Sequence, residues 1–171
     1  MTFPARQPAW SASFAATAEE HLDDVYGYLV YLTRDRSLAE DLTADTFEKA
    51  LRLWRRFDPA RASARTWLCQ IARTTALDWF RSEERRQKRE QRAAVPEATD
   101  GGLSPEGGLS PELEVALREL SAGEREVIAL RVLLELDGEE AARVLGISPT
   151  AVSTRLSRAL KKLEEKVSVH V

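Results

Sequence analysis

The chain has one cysteine, two histidines and no apolar run near the ~20 residues that a membrane-spanning helix needs. A single thiol, Cys69, excludes an internal disulfide and any zinc site built from several cysteines. It falls between Leu68 and Ile71 in a helical pattern and reads as a buried structural thiol. His21 and His170 are isolated, and no cluster of His, Cys and carboxylates has metal-ligand spacing, so no metal or other cofactor is expected. A glycine-rich phosphate loop is missing, as is a nucleophile paired with its base, which argues against an enzyme. No window alternates apolar and polar residues as a half-buried strand does, so an all-α fold is expected. The opening MTFPARQPAW lacks the basic-then-apolar layout of a signal peptide, so the expectation is a cytoplasmic protein without membrane insertion.

What the 171 residues do contain is helical periodicity and alternating blocks of charge. The overall net charge of −3 hides four segments: residues 1–48 carry −6, 49–92 carry +8, 93–140 carry −9 and 141–171 carry +4. Solubility alone does not make sign alternate on the scale of domains, so two separate anionic contacts are expected. Between the basic blocks, residues 93–112 hold four of the eight glycines and three of the seven prolines, and GGLSPE occurs there twice in tandem. Such a segment has too little apolar surface to offset its ordering entropy and reads as a flexible acidic linker. The expected organisation is therefore two small helical domains, 12–92 and 113–169, on a tether.

In the first domain, Phe14, Ala18, Leu22, Val25, Tyr26 and Leu29 mark one helix. Ser37 with Glu40 opens a second, which carries Leu42, Thr46, Phe47, Ala50, Leu51 and Trp54 and ends at Asp58-Pro59. Ser63 caps a third, with Trp67, Leu68, Ile71, Ala72, Thr75 and Trp79 on its core side. In the second domain, Pro111 to Leu120 forms a helix, and Ser121 with Glu124 opens the next.

The stretch Asp137 to Leu163 then reads as a short helix, a turn and a longer basic helix. Asp137 with Glu140 makes a capping box, and Gly146 can take the left-handed conformation that ends a helix. Ser148-Pro149 restarts the chain, with proline where no N–H is needed. Val152, Leu156, Ala159 and Leu163 form a buried stripe, opposite a polar face of Thr150, Ser153, Thr154, Ser157, Arg158 and Lys161, with Arg155 on its flank. Hydroxyls and positive charge suit base edges and phosphates, as in the second helix of a DNA-binding helix-turn-helix. The basic block at 49–92 interleaves arginines with aromatics: Arg61, Arg65, Trp67, Arg73, Trp79, Phe80 and Arg81. That pattern can stack on unpaired bases while holding phosphates, although tryptophans at helical spacing equally serve a core.

Both patterns, in this order and across a linker, resemble the bacterial RNA polymerase sigma factors of the extracytoplasmic-function group, from about Phe14 to Val167. AEDLTADTFEKAL (39–51) is similar to the polymerase-binding helix of region two, and FDPARASARTWLCQIARTTALDWFR (57–81) to the segment that melts and reads the downstream promoter element. Residues 117–165 resemble region four, which reads the upstream element. The resemblance implies a non-catalytic subunit that gives core RNA polymerase its promoter choice by contacting the clamp helices of the largest subunit and the flap. It implies polymerase contacts through Asp41, Leu42, Asp45, Phe47 and Lys49. It implies downstream-element contacts through Arg61, Arg65, Trp67 and Gln70, with Arg73, Thr74 and Arg81 further along. Similar proteins run their linker through the RNA-exit path, and an anti-sigma protein is the expected regulator. Ala44, Thr74 and Ser153 stand where the family usually has glutamine, asparagine and a basic residue. The alternative is a stand-alone helix-turn-helix regulator, whose receiver or ligand domain would bring strands into residues 1–92.

Overall fold

The structure, a computed structural model, describes residues 9–91, 116–117 and 119–168. The segment expected to be a linker, 93–112, lies outside these, as does most of the helix expected from Pro111 to Leu120. Among the described residues every regular element is helical. Helices α1 (Ala9–Thr33), α2 (Arg36–Leu53) and α3 (Ala64–Gln91) pack together as the first domain. The second is built from α4 (Ala122–Ile128), α5 (Gly138–Leu145) and α6 (Pro149–Ser168). The strands that a receiver or ligand domain would require are not found in 9–91.

Local chemistry sets the helix ends. The Ser121–Glu124 and Asp137–Glu140 capping boxes both form, each satisfying two of the orphan N–H groups at a helix start. Gly146 closes α5 at φ +66°, a left-handed conformation that costs glycine nothing. Ser148 Oγ then accepts from the Ala151 N–H (3.2 Å), and Ser63 Oγ accepts from the Thr66 N–H (3.2 Å) at the start of α3.

Two boundaries differ from the sequence reading. The cap of α2 is Asp35, whose carboxylate accepts from the Leu38 N–H at 3.0 Å, so Ser37 lies inside the first turn. Arg34 explains the shift: its left-handed φ of +56° ends α1 and leaves Asp35 extended and ready to cap. At its other end α2 stops at Leu53, before Asp58-Pro59, and tightens into a 3₁₀ turn over Trp54–Arg56. There the Trp54 ring stacks on Phe57 with centroids 5.0 Å apart, folding the chain back early.

Val25, Leu29, Leu42, Ala50, Leu68, Cys69 and Ala72 are among the buried residues of the first domain, and Val127, Leu130, Leu136, Val144, Val152 and Ala159 of the second. The α1 stripe is rotated from the expected one. Leu22 is 47% exposed, while Tyr28, three residues after Val25, is buried at 1%. Leu51 and Trp79 also reach the surface. After α4 the chain widens into one π turn, Ala129–Leu133, which exposes Val132 and Leu133.

Candidate nucleic-acid interface

The second helix of the helix-turn-helix, α6, buries Val152 and Ala159, half-buries Leu156 and Leu163, and turns its other side outward. Thr150, Ser153, Thr154, Ser157, Arg158 and Lys161 are all exposed, and Arg155 is half-buried. Arg155 is held by its neighbour α4: a Cβ built on Gly123 would lie 3.3 Å from its Nη1, so the glycine leaves room for the guanidinium. Lys162 reaches back to α4 and pairs with Glu124 at 2.6 Å, tying the two helices together below the polar face. That ammonium, with the Ser121 N–H, holds the Glu124 carboxyl below the usual glutamate range. Between α4 and α6 lies an open groove of about 620 Å³ whose walls include Ser148, Thr150, Thr154, Arg155 and Arg158.

The downstream set divides into three groups. Trp67 sits in an aromatic cluster, 5.9 Å from Trp54 and 5.1 Å from Phe57, and Phe14 meets Trp54 edge-on at 5.4 Å. The cluster anchors the 57–63 loop, on which Arg61 is exposed. Trp67, Gln70 and Thr74 also line a groove of about 390 Å³ with Lys49, Arg52, Leu53, Ile71 and Thr75. Thr74 Oγ1 donates back to the Gln70 carbonyl at 2.9 Å. The remaining members lie apart. Arg65 is 3.7 Å from Asp24 on α1, and Arg81, far along α3, pairs with Asp78 at 3.3 Å on the surface.

The polymerase set also divides. Asp41 and Asp45 are exposed on α2, on either side of the exposed Ala44. Phe47 is half-buried and lines a shallow groove with Leu22, Tyr26, Thr43 and Ala44. Leu42 is only 2% exposed and belongs to the core, so it positions the helix rather than offering a contact. Lys49 lies with the downstream group: its Nζ donates to Thr75 Oγ1 at 3.2 Å across to α3.

Sequence reasoning missed the contacts between domains. Glu126 on α4, with its side chain 9% exposed, accepts from Tyr28 Oη (2.9 Å) and from Arg73 Nε (2.7 Å). Burial and the Glu126 carboxylate together push the Tyr28 hydroxyl well above its ordinary pKa. Glu140 Oε1 accepts from Ser63 Oγ (3.1 Å) and Thr66 Oγ1 (3.0 Å), while its Oε2 closes the α5 capping box. Gln70 Nε2 donates to the Arg143 carbonyl at 3.1 Å. Tyr28 alone had a visible signal, because it shares the helical face of Val25 and Leu29.

Two helical domains with an outward-facing helix-turn-helix are the architecture of a DNA-binding protein. Comparison with known proteins agrees: residues 17–86 match sigma-70 region 2 and residues 110–163 match sigma-70 region 4. The ECF RNA polymerase sigma factor SigC of Mycobacterium tuberculosis is 37% identical over 138 residues, 80% of this chain and 73% of that protein. The RNA polymerase sigma factor YlaC of Bacillus subtilis is 32% identical over 156 residues, 87% of this chain and 88% of that one. Among solved structures, the sigma factor RpoE of Bartonella quintana, in complex with the anti-sigma factor NepR, superposes with a TM-score of 0.75 at 26% identity, covering 92% of this chain and 98% of that one. The chain belongs to the RNA polymerase sigma factors of the ECF group.

Proposed function

We propose that the two domains divide promoter recognition between them, the first (12–92) engaging the polymerase and the melted downstream element, the second (113–169) reading the upstream element. The observation that carries this assignment is the α6 face, where six hydroxyl-bearing or basic residues stand exposed together on a helix whose opposite stripe is buried. Arg158 and the hydroxyls of Ser153, Thr154 and Ser157 meet base edges, and Arg155 and Lys161 meet phosphates. In the first domain, an extruded base enters the groove beside Trp67, Gln70 and Thr74, where ring stacking and polar contacts offset the few kcal/mol of unstacking. Lys49 and Arg52 add positive charge to that groove, while Arg61, Arg65 and Arg81 hold the strand's phosphates.

Asp41, Asp45 and Phe47 form the polymerase contact, an acidic rim beside an apolar groove. The protein performs no covalent chemistry of its own and works in the cytoplasm with the polymerase. No helix among the described residues is long and apolar enough to cross a membrane. Likeness to a sigma factor solved with its anti-sigma partner supports control by an anti-sigma protein. The test is assembly: Asp45→Lys with Phe47→Ala should weaken co-purification with core polymerase at least tenfold and abolish run-off transcription. Full holoenzyme formation by that double variant would refute this polymerase face.

A further inference from the structure

Where the end of α1 meets α3 and α4 there is a cavity of about 380 Å³, lined by none of the residues assigned to DNA or polymerase. Its wall on α3 is apolar: Ala76, Leu77 and Phe80, whose ring is 37% exposed although packed edge-on to Trp79. Its polar wall carries two arginines. Arg34 follows α1 at φ +56°, and its guanidinium makes no hydrogen bond or ion pair among the described residues. Arg125 on α4 spends Nη1 on the Leu120 carbonyl and has no carboxylate partner among those residues. Burial, and then the charge of Arg34, lower Arg125 below the ordinary arginine value. Glu126 also borders the cavity, but its carboxylate is taken up by Tyr28 and Arg73, so two positive charges stay uncompensated. Beside them the Tyr31 hydroxyl is buried without a hydrogen-bond partner among the described residues. Burial raises its pKa, and Arg125 and Arg34 oppose that rise. A buried hydroxyl left unpaired is costly, and one that faces two unpaired cations suits an anion's oxygen.

We propose that this cavity binds a small nucleoside phosphate, with Arg34 and Arg125 clamping the phosphate, Tyr31 donating to one of its oxygens and the base lying against Phe80. A phosphate monoester carries a charge of about −2 at neutral pH and matches both guanidiniums. A carboxylate or the phosphodiester of a nucleic-acid strand carries a single charge and leaves one arginine unbalanced. The flat apolar wall favours an aromatic body over a bare ion. The volume falls within the range of small-molecule sites, about 300–1,000 Å³. Nothing in this assignment depends on the polymerase or promoter contacts described above.

The test titrates the full chain, without polymerase, by calorimetry at low ionic strength with AMP, GMP, UMP, adenosine and inorganic phosphate. At least one nucleoside monophosphate should bind, and raise Tm because it stabilises only the folded chain. It should bind about tenfold or more tighter than inorganic phosphate, and adenosine should not bind. Arg34→Gln breaks no side-chain contact among the described residues and should weaken nucleotide binding about tenfold, the size of one charge-assisted hydrogen bond. Tyr31→Phe should also weaken it, yet leave the unliganded protein at least as stable as wild type, because an unpaired buried hydroxyl is removed. Phe80→Ala should weaken binding of the nucleotide and spare that of inorganic phosphate. No binding of any nucleotide at millimolar concentration, equal affinity for inorganic phosphate, or undiminished nucleotide binding by Arg34→Gln would overturn the proposal. Binding of a single-stranded oligonucleotide should be insensitive to Arg34→Gln; a loss as large as the nucleotide's would give the arginine to a nucleic-acid backbone and overturn it equally.

Discussion

Replacing Arg158 or Arg155 by alanine removes one positive charge from the same helix, yet the two changes should behave differently. Arg158 is exposed and makes no ion pair among the described residues, so meeting a guanine breaks no existing contact. The whole bidentate interaction is then available for discrimination, about 1–3 kcal/mol, or roughly 5- to 150-fold between the preferred base and its replacement. Arg155 is half-buried, its guanidinium packed over Gly123 in the wall of the groove, and on the proposed reading it meets phosphate rather than a base edge. Losing a phosphate contact weakens binding to all sequences alike and lowers the salt slope by about one unit. Arg158→Ala should therefore flatten base preference at one position of the upstream element. Arg155→Ala should lower activity on every variant by a similar factor and reduce the salt slope. The assay is run-off transcription by reconstituted holoenzyme over all single-base variants of the upstream element, repeated at two salt concentrations. Binding to core polymerase and use of a premelted template should survive both changes. An unchanged preference profile for Arg158→Ala at every position would refute its assignment to base readout.

Further outcomes follow from the titratable groups. Burial pushes the Cys69 thiol up to about 12, so the native protein should resist maleimide labelling at pH 8 and react only as the first domain unfolds; rapid stoichiometric labelling without unfolding would contradict that burial. The Glu124 carboxyl is lowered in the folded state, chiefly by the Lys162 ammonium, so its stabilisation is complete above the ordinary glutamate range, ~4.3, and is lost as pH falls through the lower folded value. Thermal melts of Glu124→Gln should thus show a shallower loss of stability on acidification than wild type, and identical acid profiles would exclude this contribution.

The parts of the fold legible in the sequence were those set by neighbours three or four residues apart. Both capping boxes, the left-handed Gly146 and the buried stripe of α6 depend on local spacing, and each forms as the residues imply. Helix ends controlled by tertiary contact were less legible: α2 stops where Trp54 finds Phe57, and no breaker marks that place. Long-range polar contacts were not legible at all. Glu126 reads as an ordinary surface acid, and its partner Tyr28 lies 98 positions away. Glu140 shows the limit within one side chain, since the oxygen that caps α5 was anticipated and the oxygen that meets Ser63 and Thr66 was not. Among the candidate site residues, the α6 face was readable from periodicity alone. Leu42 and Lys49 were not, because adjacency on a motif says nothing about which side of the helix each one faces.

The aromatic cluster also gives the molecule an optical handle. Trp54 and Trp67, with ring centroids 5.9 Å apart at an interplanar angle of 57°, are close enough and skewed enough for their indole transitions to couple. Exciton bands in near-ultraviolet circular dichroism should arise from this pair, while the more exposed Trp79, packed edge-on to Phe80, adds an uncoupled background. A nucleobase sliding against Trp67 would quench and rotate one member of the pair. On the proposed placement of the captured base beside Trp67, stopped-flow circular dichroism of the unlabelled protein should report strand capture through this pair.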